Sequence, residues 1–283
     1  MSERCYEELV RKRIPLRNLL IITYDVTKGM FSYVIQYRTA FILDVVNVVI
    51  AVLVYIFLGK SILYQEGLSV YGDVSPLAFI ISGLALDIIA RQVYSISAYV
   101  KVDDFEFVLH SPMPLFHQAL LNNFYKVVAD LGKFSIYLAV AYVFGVRFKV
   151  NVVAALAMAV VLIMFYIGVG LVASGVNLII KKGDPVNWFL YTITDLLSGK
   201  LFPVGILPPV FQGLSWVLPT TWFYLIWRLS TLNNMGLFDI TPSGQPVWLI
   251  ILCLGVFSLV LIAIGKKTLD YGIEKCLREG VLP

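Results

Sequence analysis

Residues 196–224 read LLSGKLFPVGILPPVFQGLSWVLPTTWFY, an apolar stretch interrupted by Pro203, Pro208, Pro209 and Pro219. A soluble loop is not this apolar, and a plain spanning helix does not carry four prolines. Proline removes a backbone donor and clashes with the preceding turn, so the stretch reads as short helices joined by irregular backbone. At membrane depth such backbone is tolerated only where protein buries it or where it lines a cavity. The expectation is a re-entrant helical hairpin within 202–235, beside a passage through a membrane.

Composition points the same way. The 283 residues are 59% hydrophobic and 14% charged, with a mean hydropathy of +0.85; soluble domains carry roughly a quarter charged residues. Residues 40–58, 152–180 and 247–265 each come near the ~20 apolar residues that a bilayer-crossing helix needs. Six transmembrane helices are expected, at about 38–59, 76–99, 124–146, 152–180, 186–201 and 246–266. With the N-terminus inside, fifteen lysines and arginines flank the cytoplasmic side. Five flank the other, namely Lys60, Arg147, Lys149, Lys200 and Arg228. That asymmetry fits the positive-inside rule. A full seventh crossing by 219–235 would put the basic residues of 266–278 outside, so six crossings plus a re-entrant pair is preferred.

Arg4, Arg11, Lys12 and Arg13 among three glutamates read as a cytosolic tail rather than a cleavable signal. Both termini are then cytoplasmic in a multi-pass cell-membrane protein. Residues 14–31 space Leu16, Leu19, Leu20, Thr23, Thr27 and Met30 at three- and four-residue steps, with Arg17, Asn18, Asp25 and Lys28 elsewhere. This is the pattern of an amphipathic helix lying in the inner interface, the alternative being a soluble helix packed on the same protein. The one sizeable cytoplasmic loop between spans is 102–123, and no linker or repeat divides the chain, so 1–283 reads as a single all-α polytopic membrane domain.

Catalytic chemistry is not indicated. His110 and His117 share the 102–123 loop with Asp103, Asp104 and Glu106, but a zinc site needs three or four ligands in register. Cys5, Cys253 and Cys276 have no metal spacing and form no disulfide framework. Ser174 has no histidine at membrane depth to act as its base, and suits a small-residue helix contact. There is no G-x-x-x-x-G-K-[ST] loop to cradle phosphates. No catalytic residue, metal or cofactor is expected, and no nucleic-acid partner; membrane lipid is the expected surrounding. Ionisable side chains within spans are functional candidates by default. Asp87 and Arg91 lie four apart, Asp130 and Lys133 three apart, and Asp44 and Asp195 add two carboxylates. They read either as a polar inner vestibule or as structural pairs between helices.

Ser198-Gly199, Phe202-Pro203, Leu207-Pro208, Gln212, Leu214-Ser215, Pro219-Thr220-Thr221 and Trp227-Arg228 resemble the signature before the last span of ABC type-2 transporter permeases. The amphipathic segment before span one and the 102–123 loop, with Phe105-Glu106 and then Ser111-Pro112, match that family's order of parts; Pro209 doubles the usual single proline. The resemblance implies the membrane-spanning subunit of an ATP-driven exporter, paired with a second permease copy and with separate ABC ATPase subunits that hydrolyse the ATP. It makes 102–123 the coupling loop, with Glu106, Leu109, Pro112 and Phe116 on the docking face. It makes Gly199, Phe202, Pro203, Leu207, Pro208, Pro209, Gln212, Pro219 and Thr220 an outer gate. The alternatives are an ion-coupled secondary transporter, which would need coupling-ion sites on helices broken near the midplane, and a non-transporting membrane scaffold. Aromatic residues such as Trp188, Phe189, Trp216 and Trp222 suit an apolar or amphipathic cargo and equally suit interfacial anchoring.

Overall fold

The computed structural model describes residues 74–98, 147–181 and 185–278, with isolated positions between 43 and 143. The expected interfacial helix at 14–31 and the loop at 102–123 lie outside the described residues, as do most positions of the spans at 38–59 and 124–146. Among the described residues the elements are helical. They are α1 (Pro76–Ser97), α2 (Val152–Ile180), α3 (Pro185–Leu197), a 3₁₀ turn (Val204–Ile206), α4 (Pro209–Val217), α5 (Pro219–Leu232) and α6 (Val247–Arg278). Three of them, α1, α2 and α6 as far as Cys276, are long and apolar enough to cross a membrane.

Local chemistry fixes the starts. Ser75 Oγ accepts the Ala78 N–H at 3.2 Å and Pro76 occupies the first turn of α1. Asn151 Oδ1 accepts the Ala154 N–H at 3.1 Å at the start of α2, which closes on Lys181 in the left-handed conformation (φ 63°). The prolines of the broken segment begin helices rather than end them. Pro209 and Pro219 sit in the first turns of α4 and α5, where the missing N–H has no intrahelical partner to lose, and Pro203 precedes the 3₁₀ turn. The doubled proline therefore splits between two roles: Pro208 caps α4, its carbonyl accepting the Gln212 N–H at 3.0 Å, and Pro209 opens it.

Two boundaries differ from expectation. The fifth expected span is a helix of 13 residues, about 20 Å long and short of a hydrocarbon core of about 30 Å. It stops at Leu197 because Ser198–Lys200 turns away, with Gly199 at φ 73°. The last helix continues past 266 to Arg278, because its contact with α2 carries on beyond the apolar run.

Among the described residues the most extensive contact is that of the pair α2–α6. The helices run parallel: Gly168 meets Leu261 and Ile262, Gly175 meets Thr268 and Leu269, and the Cys276 thiol donates to the Leu178 carbonyl at 3.4 Å. Glycines seven apart on each helix permit this approach. A Cβ on Gly265 or Gly272 would stand 2.8 Å from the carbonyl oxygen of Gly168 or Gly175, the small-residue packing used where helices must come close. α1 lies on another side of α2, with Ser174 Oγ donating to the Ser97 carbonyl at 3.2 Å. α5 runs opposite to both: Tyr224 reaches Asp87 while Trp227 Nε1 donates to the Ser82 carbonyl at 2.9 Å, and Phe223 packs on Phe165 while Ser230 accepts from Asn151.

The main core joins Leu86, Tyr94, Met158, Leu162, Phe165, Tyr166, Phe223, Tyr224 and Ile250. The outer surface is apolar as well. Leu252, Val256, Phe257, Val260 and Ile264 on α6, and Val153, Leu156 and Val160 on α2, are exposed. A helix apolar on all sides belongs in a large core or in lipid, and the outward set suits helices long and apolar enough to cross a membrane.

Candidate functional site

Where α1, the end of α3 and α5 converge, the described residues hold a compact charged cluster. Asp87 on α1 is buried and takes three partners: Arg91 Nε at 2.7 Å, Lys200 Nζ at 2.9 Å and the Tyr224 hydroxyl at 3.4 Å. Lys200, only 3% exposed, also meets Asp195 Oδ1 at 2.5 Å, and Arg91 Nη2 lies 3.7 Å from the same carboxylate oxygen. Arg91 additionally stacks over the Tyr191 ring, 4.3 Å from its centroid. Two carboxylates and two cations make the cluster formally neutral, which is the condition for placing charge in a low-dielectric interior. Its α3 side is open, since Arg91 and Asp195 are about half-exposed while Asp87 and Lys200 are enclosed.

Arg228 stands beside this cluster, fully buried in α5. Its Nε donates to Phe79 O at 3.2 Å, Nη1 to Gly199 O at 2.6 Å and Nη2 to Lys200 O at 2.5 Å, and the guanidinium lies 3.5 Å from the Phe79 ring centroid. Helix termini leave carbonyls unpaired, and the turn after α3 offers two of them; the planar fork of arginine suits several acceptors at once. Gly83 makes room, since a Cβ there would stand 2.5 Å from both Arg228 Nη2 and Lys200 O. Before α1, burial pushes the Tyr71 hydroxyl above its ordinary pKa, with Arg228 opposing the shift.

Sequence reading placed Lys200 and Arg228 among the cations flanking the outer side; the structure buries both. The correction is physical. Lys200 follows α3 by one turn and folds back onto Asp195 and Asp87, and Arg228 supplies donors to backbone that no helix ladder serves. The available signal was position: Lys200 lies five residues after Asp195, and Arg228 sits inside the apolar run WFYLIWRLS.

The other expected site residues fall into three groups. Asp87, Arg91 and Asp195 come together as described, whereas Asp130 meets Gln92 Nε2 on α1. Asp44, Lys133 and the loop residues Glu106, Leu109, Pro112 and Phe116 lie outside the described residues. Of the outer-gate set, Gly199 belongs to the Arg228 contact, and Phe202 packs against the cluster of Phe79, Ile80, Leu225 and Leu229. Pro203, Leu207 and Pro208 lie in the stretch before α4, and Pro209 opens α4; Gln212 holds that stretch by donating to Gly205 O at 3.1 Å and Leu207 O at 2.7 Å. Pro219 and the buried Thr220 open α5. Gly205 and Gly213 have open space where a Cβ would stand.

Side-chain donors thus satisfy carbonyls in the breaks after α3 and before α4, and the charged groups of the cluster pair among themselves. The arrangement can hold a broken segment rigid within an apolar surround and present one half-exposed ion pair on its α3 side. Among the described residues no group of histidine, cysteine and acidic side chains is assembled to hold a metal ion. No family model matches the chain, and no curated protein matches it by sequence.

Proposed function

We propose that the chain is the membrane-spanning permease subunit of an ABC exporter, forming the pathway with a second permease copy and taking its drive from a separate ATPase subunit. The observation that supports this most is the 198–221 segment. Of the residues that carry the family resemblance, Ser198-Gly199, Phe202-Pro203 and Leu207-Pro208 lie where the backbone is irregular, and two others of the same set hold that backbone in place: Arg228 on the Gly199 and Lys200 carbonyls, Gln212 on Gly205 and Leu207. In this reading the α4–α5 turn is the re-entrant element, the chain crosses the cell membrane six times with both termini in the cytosol, and 102–123 docks on the ATPase. An ion-coupled carrier would want unpaired carboxylates, whereas Asp87 and Asp195 both contact cations.

The test is purification of the tagged chain from its native membrane, followed by identification of co-purifying chains and measurement of ATP turnover. An ABC ATPase at a one-to-one ratio is expected. The Glu106→Lys or Leu109→Asp chain should insert normally while ATP turnover by the complex falls. A chain that purifies with no ATPase, or variants whose turnover is unchanged, would remove the proposal.

A further inference from the structure

A cleft of about 350 Å³ separates the α4–α5 turn from the first turns of α6. Buried Ile250 and Leu254 form its floor, Trp222 and Leu249 its walls, and Val217, Pro219, Gln245 and Cys253 its rim. Its size is at the lower end for ligand sites, about 300–1,000 Å³. Only Gln245 among the lining residues brings a side-chain amide, and no lining residue is charged. The indole N–H of Trp222 is already given to the Trp216 carbonyl at 2.9 Å, so the wall is apolar in effect.

The cleft has a direction. Gln245 lies just before α6, in the turn where Thr241 donates to the Gln245 carbonyl, and Leu254 lies two turns into the helix. The polar rim residue is therefore at the end of the helix, and the apolar floor runs inward, about 10 Å along α6. Cys253 is exposed on its rim, and just beyond it begins the exposed apolar strip of Leu252, Val256, Phe257 and Val260. That strip faces lipid in a membrane, so the cleft is continuous with the lipid surface.

We infer that this cleft is a binding site for one acyl chain of a bilayer phospholipid, whose glycerol-ester region lies beside Gln245 and whose chain covers Trp222, Ile250 and Leu254. A chain in this place fills the gap between the broken segment and α6 and braces the α4–α5 turn. The inference needs only that α6 crosses a membrane and does not depend on the transport reading.

The test uses brominated phosphatidylcholine, whose bromines quench tryptophan on contact. The full-length chain keeping Trp222 as its only tryptophan, with phenylalanine at 188, 216, 227 and 248, is placed in nanodiscs of that lipid. Trp222 should be quenched strongly by bromines on the upper part of the chain. A pocket encloses most of its occupant's surface, so the added Cys253→Phe change should reduce quenching about two-fold. Native mass spectrometry of the unaltered chain gives a second reading: one tightly held phospholipid that the Cys253→Phe chain loses. Unchanged quenching after filling, or no retained phospholipid, overturns the inference. So does efficient Cys253–Cys253 crosslinking between copies, which would make the occupant a second chain.

Discussion

Arg228 is a side chain that water normally surrounds, and here backbone carbonyls surround it instead. Each lost bond to a charged donor costs about 1.5–3 kcal/mol, so Arg228→Met should destabilise the fold by several kcal/mol, read as the loss of monodisperse protein on heating in detergent. Arg228→Lys should recover only part, because one ammonium cannot reach Phe79, Gly199 and Lys200 together. Gly83→Ala should mimic a weaker form of the same defect, about 1–3 kcal/mol by overpacking, whereas Gly213→Ala, with open space around it, should be close to neutral. Equal stability of the Gly83→Ala and Gly213→Ala chains would contradict the packing described. At Lys200 the sign of the effect depends on its partners. Lys200→Met leaves two carboxylates sharing Arg91, and adding Asp195→Asn restores neutrality. The double variant should be more stable than Lys200→Met alone, with a coupling of roughly 1–2 kcal/mol; strict additivity in a double-mutant cycle would show that Lys200 and Asp195 do not interact.

At the scale of elements, the α2–α6 pair depends on glycines that differ in what they touch. Gly175→Ala should weaken the pair, since its Cβ would stand 2.5 Å from Thr268 backbone, while Gly255→Ala, with Val161 at 3.9 Å, should not. Comparing the two by unfolding in detergent separates a packing role from helix propensity, because alanine favours the helix at both sites. Long apolar runs made α1, α2 and most of α6 legible in the sequence, since hydropathy and length report directly on a spanning helix. The Asp87–Arg91 pair was legible for a similar reason, because a four-residue step puts both on one helix face. What escaped was non-local. The stop of α3 at Leu197 depends on the Gly199 carbonyl accepting from an arginine twenty-nine residues on. The role of each proline depends on whether it falls before or inside a first turn, which a one- or two-residue shift reverses. The extension of α6 follows from glycines that mean nothing until α2 lies beside them.

For the whole molecule, α4 presents Val210, Leu214 and Val217 on one exposed stripe with Phe211 beside them. If two permease copies meet there, cysteines placed between 207 and 211 should crosslink in the resting complex and do so less when the ATPase is trapped with nucleotide. Crosslinking that ignores nucleotide would make the stripe a static contact between copies, and no crosslinking would assign it to lipid.

The parallel course of α2 and α6 has a consequence of parity. A chain that crosses a membrane, and later crosses it again in the same direction, must in between make an odd number of returns. If α2 and α6 both cross, the α3–α5 region carries the polypeptide across once in net terms, although none of its helices is long enough to do so alone. Short epitopes inserted at 182–184 and at 243–244 must then report from opposite faces of the membrane, whichever way the termini point. The crossing itself is made in instalments, and Lys200 and Arg228 sit at the joint between two of them.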